Sequence, residues 1–364
     1  MPTFNPSRLR VARKRRLLNK TRFAEAIGVD LRTVTGYERG EYEPSPATLA
    51  LIARALRFPA GFFAGGELHE PAPTTASFRS LARMSAANRE AALASGALAF
   101  LLIDWIEQRL TLPAPDLPDL REENPEAAAM TLRQQWGLGE RPIRNMVHLL
   151  ESKGVRVFSM FEDTAEVDAF SLWRATTPFV FLNTMKSAEQ SRFDAAHELG
   201  HLVLHRHGGA PTGREAEHEA NRFASAFLMP RGSVFAVAPV FPNLDRLIEL
   251  KRQWIVSVAA VAYRLHALGL LTDWHYARLC IEIGERGYRT NEPRSAQREM
   301  SQLLPKVFSA FRDEGITLSN IAAELQIEAE EIDKLVFQLM LVSLQGGATV
   351  GTIPSRRAFL QIVK

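Results

Sequence analysis

The sequence predicts a mainly helical α+β chain with a five-helix N-terminal unit, a central domain holding a small sheet, and a helical C-terminal region. Three observations point there. The first 63 residues break into short helical patterns separated by capping and turn residues. Only residues 155–158 and 179–182 are short β-rich runs bounded by glycine or proline. Helical patterns dominate from Ser187 onward. At 364 residues the chain exceeds a typical domain of about 100–200 residues, so several domains are expected. The expected boundaries are 5–66 for the N-terminal unit, 67–126 for a helical linker region, 127–290 for the central domain and 291–364 for the C-terminal helices.

The N-terminal elements follow from their punctuation. Asn5-Pro6 places an N-cap before a proline at the first helical position, and Leu9, Ala12 and Leu17 follow at roughly helical spacing. Asn19 caps a second helix with Phe23, Ala24 and Ile27 inward and Gly28 at its end. Asp30 caps a third, over residues 31–39, which stops at Gly40. A fourth starts after Pro44-Ser45-Pro46 and carries Leu49, Ile52, Ala53 and Leu56, and a short fifth turn holds Phe62-Phe63. Residues 71–77, PAPTTAS, read as a linker. A long helical pattern spans 86–110, a proline-rich connector spans 112–125, and residues 127–152 are helical again. Residues 179–182 could be an edge strand that an extended peptide joins, or an ordinary core strand.

Composition narrows the class. Hydrophobic residues at 46% and charged residues at 23% are ordinary globular usage and exclude a disordered chain. Cys280 is the single cysteine, so an internal disulfide and a cysteine-rich zinc cluster are excluded and a reducing compartment is expected. The basic start has no apolar run after it, and the longest apolar stretch, 91–103, is too short to span a bilayer, so a cytoplasmic protein is expected. Residues 1–60 hold twelve Lys/Arg against five Asp/Glu, a balance of +7, which leaves −4 on the other 304 residues of a chain whose net charge is +3. A basic head on an acidic body is the footprint expected of nucleic-acid binding at one end.

Residues 197–201 read His-Glu-Leu-Gly-His. Two histidines four apart share one helix face and can aim at one Zn²⁺, while Glu198 sits where it can act as a general base. A third ligand should come from the following helix. There Glu217 and Asn221 are four apart, and Ala220, Ala224 and Leu228 continue the stripe. The reading is Glu217 as ligand and Asn221 as the residue orienting a histidine, with Glu219 the competitor. Three protein ligands leave a fourth position for water, the arrangement of a catalytic site suited to amide hydrolysis. His205, His207 and His218 read as surface or satisfied histidines, and Cys280 as a small buried hydrophobe.

These motifs resemble known families. Residues 5–63 resemble the XRE (Cro/phage-repressor-like) helix-turn-helix through Leu18-Asn19-Lys20, Phe23-Ala24-Glu25, Ile27-Gly28-Val29, Val34, Glu38-Arg39-Gly40 and Pro44-Ser45. The resemblance implies a second helix lying in the major groove of double-stranded operator DNA. Carried over by position, it implies Leu31, Arg32, Thr33 and position 36 at base edges, Lys20 at the start of the preceding helix, and Arg39 near phosphate. Gly36 has no side chain, so direct readout is lost there, and Arg32 becomes the candidate for guanine. Residues 150–230 resemble the ImmA/IrrE family of zinc metallopeptidases. The shared elements are the strand ending at Asn183, Arg192-Phe193 leading into His197–His201, and Glu217-His-Glu-Ala-Asn221-Arg-Phe-Ala224 ending in Leu228-Met-Pro230. That resemblance implies a zincin-like central domain and supports Glu217.

Fusions of this kind resemble bacterial and phage regulators, which implies a transcription regulator whose peptidase cleaves a repressor or antitoxin. The alternative is a repressor or antitoxin-like regulator whose peptidase-like domain only senses or docks a partner. A homodimer reading paired half-sites is expected. Residues 317–327 read like the start of another helix-turn-helix. The acidic flank at 328–333 argues against phosphate binding and for an oligomerisation or sensing bundle.

Overall fold

The computed structural model describes residues 4–71, 77–78, 85–160, 169–183, 185–206, 213–336 and 361–362. It is mainly helical with a small sheet, as the sequence predicts. The head consists of α1 (Pro6–Arg15), α2 (Lys20–Ile27), α3 (Leu31–Arg39), α4 (Pro46–Leu56) and a short 3-10 turn (Ala60–Ala64). Each helix starts at the side chain the sequence marks. Asn5 accepts from the Ser7 amide, Asn19 from Arg22, Asp30 from Thr33 and Ser45 from Thr48. These bonds satisfy amides that a helix start leaves without an intrahelical partner. Gly28 and Gly40 close α2 and α3 at φ 70° and 71°, a conformation that glycine adopts at little cost. One local expectation fails. α1 stops at Arg15, and Leu17 turns outward at φ 55° because its amide bonds Lys14 and the next amide bonds Arg13, which leaves Leu18 to pack inward.

Next come β1 (Ser77–Phe78), α5 (Ala86–Glu107), β2 (Leu110–Thr111), α6 (Pro125–Gln135), α7 (Met146–Ser152), β3 (Arg156–Met160), β4 (Ala169–Arg174) and β5 (Thr177–Asn183). Most of the expected linker, residues 72–76, lies outside the described residues, and its end forms β1. The sheet order is β1-β4-β5-β3, with β3 parallel to β5 and β4 antiparallel to β1 and β5. Residues 179–182 are therefore not an edge strand. β5 is paired on both sides, and the strand that takes its second side, β4, was not expected. Phe158, Phe170, Phe179 and Phe181 stack on one sheet face, where Phe100 of α5 meets Phe179 at 4.8 Å. The opposite face carries Ser171 and Trp173 toward α8 (Ala188–Leu204), and the Trp173 indole donates to the Leu202 carbonyl at 3.1 Å.

The chain continues through α9 (Arg214–Leu228), α10 (Arg231–Val237), α11 (Leu244–Trp254), α12 (Val258–Ala267), α13 (Asp273–Glu285), α14 (Leu303–Asp313), α15 (Leu318–Leu325) and α16 (Ala329–Val336). Between α13 and α14 an irregular strap crosses the first half of α8. Ser295 and the Ala296 amide donate to Glu189, while Glu299 accepts from Arg192 and from the Met146 amide. The C-terminal helices pack inward on the rest of the chain. α16 lies against α5 and β3, and its Glu331, buried, accepts from Arg15 at 3.0 Å and Arg16 at 2.7 Å of α1. Finally, β6 (Gln361–Ile362) pairs antiparallel with β2. Among the described residues no helix is long and apolar enough to cross a membrane.

Candidate metal centre and helix-turn-helix face

The metal-binding pattern sits on α8 and α9, which pack side by side. Gly200 makes their close approach feasible. A Cβ at that position would lie 3.0 Å from Phe223 and 3.3 Å from the Ala220 backbone, both on α9. Glycine between the two histidines thus brings Glu217, one turn before Ala220, up to the histidine face of α8. The Nε2 atoms of His197 and His201 are 3.1 Å apart. Glu217 places one carboxylate oxygen 3.3 Å from His197 Nε2 and the other 3.4 Å from His201 Nε2. A tetrahedral ion with ligand bonds of about 2.0–2.1 Å needs donor separations of about 3.3–3.4 Å. The two imidazoles and the carboxylate, whose ligand atoms all lie within 4.8 Å of one another, fit a Zn²⁺ ion.

Hydrogen bonds at the far side of each ring hold this arrangement. Asn221 sets its side-chain oxygen 3.2 Å from His197 Nδ1 while its amide donates to the Glu217 carbonyl at 2.8 Å. With Nδ1–H donating outward, the Nε2 lone pair faces the Glu217 side. His201 Nδ1 lies 2.9 Å from His205 Nδ1, and His205 Nε2 lies 2.9 Å from Glu219. Glu219 therefore ends an outward relay and does not touch the two imidazoles, while Glu217 touches both. Sequence reasoning missed the relay, although the spacing His197, His201, His205 puts all three rings on one helix stripe. His207 lies outside the described residues. Burial would raise the Glu217 carboxyl, but hydrogen bonds and charge from His197 and His201 outweigh it and hold the group at about 2. Burial lowers His205, with Glu219 pulling the other way.

Glu198, fully buried, follows His197 in the sequence of α8. The Ser171 hydroxyl donates to its carboxylate at 2.7 Å. Ser171 was also missed, because β4 was not expected. The alternation of Phe170 and Leu172 with Ser171 and Trp173 was the signal available.

In the head, α3 presents Leu31 and Arg32 to solvent, Thr33, whose amide donates to Asp30, is half-buried, and Arg39 is exposed beside Glu41. Lys20 is placed at the start of α2, where its ammonium pairs with Glu38 at 3.1 Å. The head's positive charge is partly used internally. Arg13 also bonds Glu38, Lys14 bonds Glu70, and Arg15 and Arg16 bond Glu331. Arg22, Arg32, Arg39, Arg54 and Arg57 remain exposed.

Residues 150–266 match the family model of the IrrE N-terminal-like domain. Residues 9–63 match the helix-turn-helix family model. The chain joins these two modules, the fused architecture its motifs imply. No curated protein matches the chain.

Proposed function

We propose that the chain is a DNA-binding transcription regulator whose zinc-dependent peptidase domain cleaves a protein partner of the repressor or antitoxin type. The observation that supports this most is the meeting of His197, His201 and Glu217 at donor separations of 3.1–3.4 Å, with Glu198 next to His197 in the chain and fully buried. When bound, Zn²⁺ would supply Lewis-acid activation of water and of the scissile carbonyl. Asn221 and the His205–Glu219 pair orient the two imidazoles. Glu198, steadied by Ser171, takes a proton from the attacking water and returns it to the leaving amine. The head places α3 in the major groove, with Leu31, Arg32 and Thr33 toward base edges and Lys20 and Arg39 toward phosphate. Residues 5–66 and 127–290 are the working units, 67–126 connects them, and 291–364 serves in oligomerisation or sensing. The protein acts in the cytoplasm as a homodimer on paired half-sites.

The test is co-expression with the products of neighbouring genes, comparing wild type with Glu198→Gln. A cleaved neighbour that appears only with wild type supports the reading. Intact neighbours in both, with operator binding indifferent to Glu198→Gln, overturn the peptidase half and leave a regulator whose second domain docks or senses.

A further inference from the structure

Gly36 stands in the middle of α3, in ordinary helical backbone, although glycine is among the poorest helix formers. The reason lies in the next loop. A Cβ at position 36 would come within 2.4–2.5 Å of the Tyr42 ring and hydroxyl, so the bare backbone of Gly36 is the seat of that ring. The ring is fixed from two further sides. It meets buried Tyr37 edge-on, with centroids 5.4 Å apart, and its hydroxyl lies 3.5 Å from the Arg32 carbonyl. Tyr42 nonetheless remains 45% exposed. A large aromatic side chain is thereby mounted on the α3 face that carries positions 32 and 36, one helical turn apart.

The surrounding charge says what this side chain can touch. Glu41 and Glu43 flank it and are exposed, and Glu41 lies 3.5 Å from Arg39. The loop from Glu41 to Ser45 offers no lysine or arginine of its own, so the chemistry Tyr42 offers is that of base edges: an apolar ring against a thymine methyl and a hydroxyl able to donate or accept. We propose that Tyr42 reads DNA sequence in place of the side chain that Gly36 lacks. The proposal rests on the DNA-binding reading of the head. It also revises the expectation that readout at position 36 is lost, because the loop supplies what the helix does not.

The test uses full-length protein and duplexes selected from a random pool by the wild type, with affinities measured by fluorescence anisotropy at fixed salt. Tyr42→Ala should cut discrimination between a selected duplex and its single-base-pair variants about tenfold at one step, with scrambled duplex bound as before. Gly36→Ala should cost a similar factor in wild type by unseating the ring, and nothing further in the Tyr42→Ala background. Tyr42→Phe, which keeps the ring, separates the hydroxyl's share and serves if Tyr42→Ala does not fold by circular dichroism. Wild-type preferences retained in Tyr42→Ala, while Arg32→Ala loses its own, would overturn the proposal alone, as would equal weakening on every duplex. A wild type that selects no sequence overturns the DNA-binding reading and this proposal together.

Discussion

Replacing Glu331 by alanine should loosen the attachment of the head to the rest of the chain. Its side chain is 2% exposed, and its carboxylate receives Arg15 at 3.0 Å and Arg16 at 2.7 Å. Removing one partner of a buried ion pair costs about 3–5 kcal/mol, because the charge left behind is neither paired nor hydrated. Arg16 keeps bonds to the Leu56 and Arg57 carbonyls and is partly exposed, so Arg15 bears most of the loss. That places the effect at the lower end, about 3 kcal/mol, or roughly a 150-fold larger opening constant. Hydrogen exchange of the α1 and α16 amides reads this directly. Lys334→Ala, which removes only a half-exposed neighbour of Glu331, should shift the same amides by less than about twofold. Burial pulls the Glu331 carboxyl upward, but Arg15 and Arg16 outweigh it and its pKa is lowered. The contribution is therefore present above the ordinary carboxylate range and fades as pH falls through the depressed pKa. Wild-type exchange in Glu331→Ala would mean that α16 does not clamp the head.

Four other outcomes follow from the sites. Arg32→Ala should relax sequence preference at one base pair by about 5- to 150-fold in competition binding. Lys20→Ala should lower affinity on all duplexes alike, and by less than a free lysine would, since Glu38 already holds that ammonium. Asn221→Ala and Glu219→Ala should each weaken zinc binding about 10- to 100-fold in chelator competition, because the first frees the His197 ring and the second frees His205, which holds the His201 ring. Ser171→Ala should leave zinc affinity within about threefold of wild type yet slow hydrolysis of a cleaved partner about 10- to 100-fold, the worth of one hydrogen bond to a buried charge. Equal losses of metal and rate in that variant would assign Ser171 to packing.

The head was the most legible part of the sequence, because Asn5, Asn19, Asp30, Ser45, Gly28 and Gly40 each state a helix boundary in local chemistry. The metal-binding residues were legible for a related reason. Spacings of four on a helix fix which side chains share a face, and Gly200 states that another helix comes close. What escaped was set by distant partners. β4 joins β5 through Ala175-Thr176, a two-residue turn with none of the usual glycine or asparagine, and Ala175 adopts φ 51° there because the strands on either side hold it. The charge count on residues 1–60 could not reveal that Glu331, some 315 positions away, neutralises Arg15 and Arg16. Nor could helical periodicity show that the seat at Gly36 is filled from the following loop.

The proposed hydrolysis requires that the three side chains of α8 and α9 hold a metal. Elemental analysis of the purified full-length protein, dialysed against metal-free buffer, measures this most directly. Wild type and Glu198→Gln should each retain close to one equivalent of zinc, while His197→Ala and Glu217→Ala should retain far less at unchanged helical circular dichroism. A wild type that holds no zinc, or a Glu217→Ala protein that holds as much as wild type, would contradict it.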